Sequence, residues 1–143
     1  MDVKIRFASY DDEAFWFTLD KELHIVEFNQ KVRDNMAYII TVDGTPVGIL
    51  RYGMLFDTNP ICTLMFIDDK YRDIGYGRSL IDYWEHDMWS RGFKHIYVST
   101  QVDENAQYFY RKMGYKDCGC IVFENENGEN PMEMFMVKEL NQL

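Results

Sequence analysis

The clearest chemistry in this 143-residue chain lies in two glycines spaced by one residue and flanked by arginines. The run reads Lys70-Tyr71-Arg72-Asp73-Ile74-Gly75-Tyr76-Gly77-Arg78. An apolar, strand-like stretch (Ile61–Ile67) precedes it. A helix-like one, with Leu80, Ile81, Trp84 and Met88 on one side, follows. Backbone N–H groups at a helix N-terminus lack partners within the helix, and the helix dipole adds positive potential there. Such a junction therefore suits phosphate oxygens. Gly75 and Gly77 let the backbone approach an anion closely, and Arg72 and Arg78 add charge. The same residues also fit a tight strand-to-helix turn with incidental arginines. Two nucleotide motifs are excluded. Leu80 stands where a dinucleotide fingerprint has its third glycine, and no Lys-Ser/Thr pair follows as a P-loop requires.

Other reactive residues point to less. Cys62, Cys118 and Cys120 are odd in number and contain no C-x-x-C spacing. Neither a disulfide framework nor a metal site is expected, and a reducing, cytoplasmic setting is the default. Cys118 and Cys120 alternate on one strand and read as buried small apolar residues. Met132, Met134 and Met136 share a strand face and read as core filler, with Glu133 and Phe135 on the opposite face. His86 sits on a charged helix face with Asp82, Glu85 and Asp87, which reads as solvated.

The charge balance is 15 basic against 24 acidic residues, a formal −9. That argues against nonspecific nucleic-acid or anionic-membrane partners, which need cationic patches. No apolar run reaches ~18 residues, and the N-terminal segment carries acids where a signal peptide needs basic residues. Hydrophobic residues make up 47%, enough for one core in a single domain spanning 1–143.

The elements that must position the loop follow from periodicity. Val3, Ile5 and Phe7 alternate with polar residues as a half-buried strand. Ser9 caps a helix running to about His24, with Phe15, Leu19 and Leu23 at helical spacing. A short helix is expected over Glu27–Asn35. Strands follow at Met36–Val42 and Val47–Leu55, joined by an Asp43-Gly44 hairpin turn. Asp57-Thr58-Asn59-Pro60 reads as a second turn. After the long helix, closed by Gly92, come a strand at Ile96–Ser99 and a helix from Asp103 to Lys112. Strands at Tyr115–Phe123 and Met132–Val137 end the chain, joined by a polar connection over 124–131. The order β-α-α-β-β-β-α-β-α-β-β, rich in hairpins, defines an α+β domain with a mixed sheet.

The loop resembles that of the GNAT superfamily of acetyl-CoA-dependent N-acetyltransferases, whose hallmark is Arg/Gln-x-x-Gly-x-Gly/Ala at a strand–loop–helix junction. Here it reads Arg72-Asp73-Ile74-Gly75-Tyr76-Gly77. A second block, Ala106-Gln107-Tyr108-Phe109-Tyr110-Arg111-Lys112-Met113-Gly114-Tyr115, resembles the family's Ala…Phe/Leu-Tyr-x-Lys-x-Gly-Phe helix end. The resemblance is strongest over about residues 61–116. It implies a mostly antiparallel central sheet flanked by helices, with two central strands splayed apart.

It also implies roles for residues. Ile74, Gly75, Tyr76 and Gly77, with Arg72 and Arg78, would hold the pyrophosphate of acetyl-CoA. The backbone of Met65 and Ile67 would pair with the pantetheine arm like an added strand. Asp103 and Asn105, at the start of the following helix, would complete the cofactor contacts. The family often has Asn at the first of these two positions. Tyr110 matches the tyrosine that protonates the departing thiolate. The family's proline before the loop is replaced by Asp69.

The implied reaction is acetyl transfer to a primary amine of a small molecule or peptide. A phenol near pKa 10 can donate to a thiolate near 8.5 as charge builds, so Tyr110 is chemically suited. An alkylamine near pKa 10 is mostly protonated at neutral pH and needs a proton acceptor. Candidates are Glu22, His24, Glu27, Asp57, Glu133 or a water chain. Trp16 or Phe17 would face the acceptor, with Phe15 in the core. Acids crowd the N-terminal helical region and the 124–131 connection, which favours a cationic acceptor. A homodimer is compatible with the family. The competing reading is a non-catalytic acetyl-CoA sensor, which predicts cofactor binding without turnover.

Overall fold

The computed structural model describes residues 1–124 and 131–141. Its elements are β1 (Val3–Phe7), a 3-10 turn (Tyr10–Asp12), α1 (Glu13–Leu19), α2 (Ile25–Arg33), β2 (Ala37–Val42), β3 (Thr45–Leu55) and β4 (Asn59–Ile67). A second 3-10 turn (Asp69–Tyr71) leads to α3 (Tyr76–Ser90), β5 (His95–Gln101), α4 (Ala106–Lys112), β6 (Lys116–Ile121) and β7 (Glu133–Glu139). The strands form one sheet in the order β1-β2-β3-β4-β5-β7-β6. Every neighbouring pair is antiparallel except β4 and β5. The element order matches the periodicity argument, and the fold is the mixed, mostly antiparallel sheet that the resemblance implied.

The sheet is apolar on both faces because β2 is buried at every residue. Alternation sends Tyr38, Ile40 and Val42 to one side, where α3 presents Leu80, Ile81, Trp84 and Met88. Ala37 and Ile39 go to the other side, against Trp16 of α1 and Phe28 and Val32 of α2. Glycine ends α3 as expected. Gly92 takes φ +94°, and the Phe93 N–H reaches back to the Met88 carbonyl at 3.1 Å. Asp43 and Gly44 both adopt positive φ, as a two-residue hairpin turn demands.

Several expectations are corrected. The first helix stops at Leu19, not His24, because Asp20 competes for the backbone. Its buried carboxylate accepts the N–H groups of Glu22 and Leu23, turning the chain out of the helix. The second helix starts at Ile25 and ends at Arg33, with Asn35 left-handed beyond it. The second hairpin turns at Phe56-Asp57, both at positive φ, so Asn59 and Pro60 already belong to β4. β1 is an edge strand with only Ile5 partly shielded, less buried than its alternation implied.

Two polar residues also change character. Glu85 is not on the solvated face of α3. It is buried, accepting Tyr115 Oη at 2.8 Å and Lys138 Nζ at 2.9 Å, which ties α3 to the C-terminal strands. Cys118 and Cys120 are exposed rather than buried, because β6 is the opposite edge strand and is open on both faces. Met134 and Met136 fill the core as expected, while Met132 is exposed. The expected polar connection lies outside the described residues over 125–130. No helix among the described residues is long and apolar enough to cross a membrane.

Candidate active site

Among the described residues β4 and β5 are the only parallel neighbours, and they pair over just two positions, Ile61↔Tyr97 and Cys62↔Val98. Beyond Cys62 the strands part. On its other side β4 stays paired with β3 as far as Gly48↔Ile67. The Asp68 N–H bonds the Val47 carbonyl at 2.8 Å, so Ile67 and, two residues earlier, Met65 turn their own peptide groups away from β3. Those groups face the gap. The Ile67 carbonyl is already occupied by Arg72 Nε at 2.9 Å, leaving its N–H and both groups of Met65.

The loop and helix start close one end of the gap. Gly75 is the N-cap of α3 at φ +105°, a conformation glycine adopts without strain. Ser79 is the first residue whose N–H reaches back, to the Gly75 carbonyl at 3.1 Å. The N–H groups of Tyr76, Gly77 and Arg78 therefore have no helical partner. Gly77 sits against β4: a Cβ there would meet Met65 Cε at 3.0 Å and Sδ at 3.2 Å. A groove of about 620 Å³ runs along these residues. It gathers Met65, Ile67, Arg72, Gly75, Tyr76, Gly77 and Arg78 from the sequence-derived set.

The other members of that set lie differently. Ile74 is exposed and its side chain does not line the groove. Asp103 and Asn105 are exposed and line no part of it. Asn105, not Asp103, is the N-cap of α4. Arg72 is committed elsewhere, bridging the Ile67 carbonyl and Asp69 at 2.8 Å and lying over the Phe66 ring. The groove also recruits Tyr71, whose ring carried no motif signal, and Phe109, which stands at the Phe/Leu position of the second block but was assigned no contact.

A second cleft, about 830 Å³, adjoins the groove and shares Met65, Phe66, Glu104 and Ala106 with it. Tyr110 lines this cleft from α4 and is 4% exposed. Burial holds its phenol well above the ordinary tyrosine range, and the neighbouring Cys62 adds to the effect. Cys62 is itself wholly buried, its thiol pushed up to about 12 by the same burial. Both groups therefore stay protonated at neutral pH.

Of the candidate proton acceptors, Glu22 and Glu133 line the cleft; His24, Glu27 and Asp57 do not. Burial raises the Glu133 carboxyl above its ordinary range. A hydrogen bond from Ser99 pulls it down, and the charges of Glu104 and Glu22 push it up again. The floor carries a residue that no local pattern announced. Arg51 donates through Nε to Asp20 at 2.8 Å and through Nη1 to Thr63 at 2.8 Å. Trp16 is not an acceptor-facing wall. It is fully buried and donates its indole N–H to Asp20 at 3.0 Å. Phe17 packs on the Phe28 ring beside it, with centroids 5.5 Å apart.

The sheet parts between its two parallel strands beside unpaired helix N–H groups, and a buried phenol lines the adjoining cleft. The sequence model of the acetyltransferase (GNAT) family matches residues 5–115, and the chain belongs to that family. Solved structures share the fold. Ard1 from Thermoplasma volcanium superposes with a TM-score of 0.87 at 17% identity, covering 99% of this chain and 100% of that one. The ribosomal-protein-S18-alanine N-acetyltransferase of Escherichia coli gives 0.80 at 13% identity, with 99% and 96% covered. Arabidopsis thaliana Naa50, in complex with the bisubstrate analogue CoA-Ac-MVNAL, gives 0.78 at 18%, with 97% and 99% covered. No curated protein sequence matches the chain significantly.

Proposed function

We propose that this protein transfers the acetyl group of acetyl-CoA to a primary amine of a small molecule or peptide, by direct attack of the amine on the thioester. The observation that carries this reading is the junction of the two cavities at Met65, Phe66, Glu104 and Ala106, with Tyr110 buried beside it. The residues present fit the cosubstrate. Three unpaired N–H groups at the start of α3 suit a pyrophosphate. The open peptide groups of Met65 and Ile67 suit the two amides of a pantetheine arm, and Gly77 leaves room beside Met65. The likeness to Naa50 bound to a CoA conjugate supports the same assignment.

Tyr110 acts as the general acid. Burial keeps it as the neutral phenol, the form that can donate, and the thiolate is most basic in the same dry surroundings. The acceptor is cationic. Glu22, Glu104 and Glu133 border the cleft, and the Arg51 charge is matched by Asp20.

The test is a panel of amines incubated with acetyl-CoA and read by mass spectrometry. The panel comprises spermidine, cadaverine, glycinamide and the peptide Met-Val-Asn-Ala-Leu. Acetylated product is expected from the polycationic members, spermidine and cadaverine, first. Tight CoA binding with no product from any amine would favour a sensor instead.

A further inference from the structure

We propose that Glu133 is the group that takes the proton from the acceptor amine, a role that rests on the acetyl-transfer reading above. β7 places it there. Glu133 pairs with Gln101 of β5 on one side and with Ile121 of β6 on the other. Alternation along β7 buries Met134 and Met136 and turns Glu133 and Phe135 to the opposite face, into the cleft that Tyr110 lines.

The surroundings suit a base. Among the described residues, the ionisable groups lining the cleft with Glu133 are Glu104 before α4, Tyr110 of α4, Glu22 between α1 and α2, and Arg51 of β3. Arg51 is the single cation among them and is paired with Asp20, with side chains 10% and 0% exposed. Glu133 therefore has no salt bridge of its own among the described residues, unlike Asp20 or Glu85. Burial and the neighbouring carboxylates make it a stronger base than a solvated glutamate. Glu22 also lines the cleft but is exposed, from the loop between α1 and α2.

The proton balance closes without a further reactant. The ammonium of the acceptor gives one proton to a Glu133 oxygen, which passes it to solvent. The free amine attacks the thioester carbonyl, forming the C–N bond, and the C–S bond breaks. Tyr110 protonates the leaving sulfur, and the second nitrogen proton restores Tyr110 through water. One proton is released per acetyl group transferred.

The experiment is steady-state kinetics of Glu133→Gln from pH 6 to 10, using whichever of spermidine, cadaverine, glycinamide or Met-Val-Asn-Ala-Leu the wild-type protein acetylates fastest. Removing a positioned base costs about 10²–10⁴-fold in kcat. We expect that loss at neutral pH, with KM raised by no more than the about two- to five-fold that removing one cleft carboxylate brings. The deficit should shrink as pH rises through the acceptor's own pKa, ~10 for spermidine or cadaverine and ~8 for the α-amines, where the amine deprotonates by itself. Calorimetry should show unaltered CoA binding, and Glu27→Gln, outside the cleft, should keep the wild-type rate.

An undiminished kcat in Glu133→Gln overturns the assignment. So does a loss confined to KM, which would make Glu133 a cation-binding group only. If Glu133→Gln cannot bind CoA, Glu133→Asp carries the comparison. It should show a lower kcat with a displaced pH profile, and an unchanged profile overturns the role. A wild-type protein that acetylates no amine in the panel removes the transferase reading and this one together, whereas an active wild type beside an equally active Glu133→Gln removes only the role of Glu133.

Discussion

Arg51 and Asp20 meet at 2.8 Å across 31 residues of sequence, with the Asp20 side chain wholly buried. One carboxylate thereby does two things. It ends α1 by accepting the N–H groups of Glu22 and Leu23, and it anchors the guanidinium on the floor of the cleft that Tyr110 lines. Trp16 completes the arrangement, donating its indole N–H to the same oxygen as Arg51. The position of the α1–α2 loop, which brings Glu22 to the cleft, follows from this contact.

Replacing Asp20 by Asn should cost about 3–5 kcal/mol, because it leaves a buried guanidinium unmatched. Thermal melts followed by circular dichroism would measure it. Acid should reveal the same contact. Burial raises the Asp20 carboxyl, but the Arg51 charge and hydrogen bonds outweigh it and leave the group below its ordinary range. A lowered folded pKa contributes stability that is present above the unfolded value, about 4, and lost as pH falls through the folded one. The wild-type melting temperature should drop below pH ~4, more steeply than that of Asp20→Asn.

Tyr110→Phe removes one hydroxyl and leaves the ring packed against Tyr115, 5.6 Å between centroids. The expected result is a fall in kcat of about 10²–10⁴-fold with CoA affinity unchanged. A rate equal to wild type, with chemistry shown to be limiting, would remove the acid role.

The two loop glycines should fail in different ways. Gly75→Ala meets no atom within 4 Å but forces a side chain to φ +105°, at a cost of about 1–2 kcal/mol of stability. Gly77→Ala has ordinary helical backbone but presses on the end of Met65 at 3.0 Å. Its effect should appear as weaker CoA binding with a nearly normal melting temperature. Calorimetry and melts of the two variants separate strain from crowding.

The thiols give a simple check of the sheet edge. Cys118 and Cys120 are exposed and should react quickly with a thiol reagent in the native protein. Cys62 is buried and held up to about 12, so it should react only after denaturation. Two fast equivalents and one slow one are expected.

The cleft charge should show in salt dependence. Glu22→Gln removes one partly screened carboxylate and should raise KM for spermidine about two- to five-fold, as an exposed pair worth ~0.2–1 kcal/mol would. The effect should fade as ionic strength shortens the screening length. An effect equally large for glycinamide at high salt would show that charge is not its cause.

The strand-to-helix junction was legible because its determinants are local. Gly75 and Gly77 act through their own backbone geometry, and the apolar residues Leu80, Ile81, Trp84 and Met88 recur at the helical period whatever lies opposite. Element order was legible for the same reason. Where a polar side chain competes with the backbone, local periodicity misled: Asp20 stopped α1 five residues before the position that Leu23 implied. Where the partner is distant, it was silent. Glu85 looks solvated in sequence and is buried only because Tyr115 and Lys138 come to it from 30 and 53 residues away.

The sequence alone determined the order of strands and helices, the glycine turn at the start of α3 and the tyrosine at the end of α4, since each depends on residues within a few positions of one another. Tertiary structure decided which edge of the sheet β6 occupies, and so left Cys118 and Cys120 in solvent. It decided that β4 and β5 part after Cys62, because register between distant strands is set by packing on both faces. It also brought Glu22, Arg51, Glu104 and Glu133 around one cleft with Tyr110. Those residues span four separate segments of the chain, and only the closing of the sheet over its two cores could assemble them.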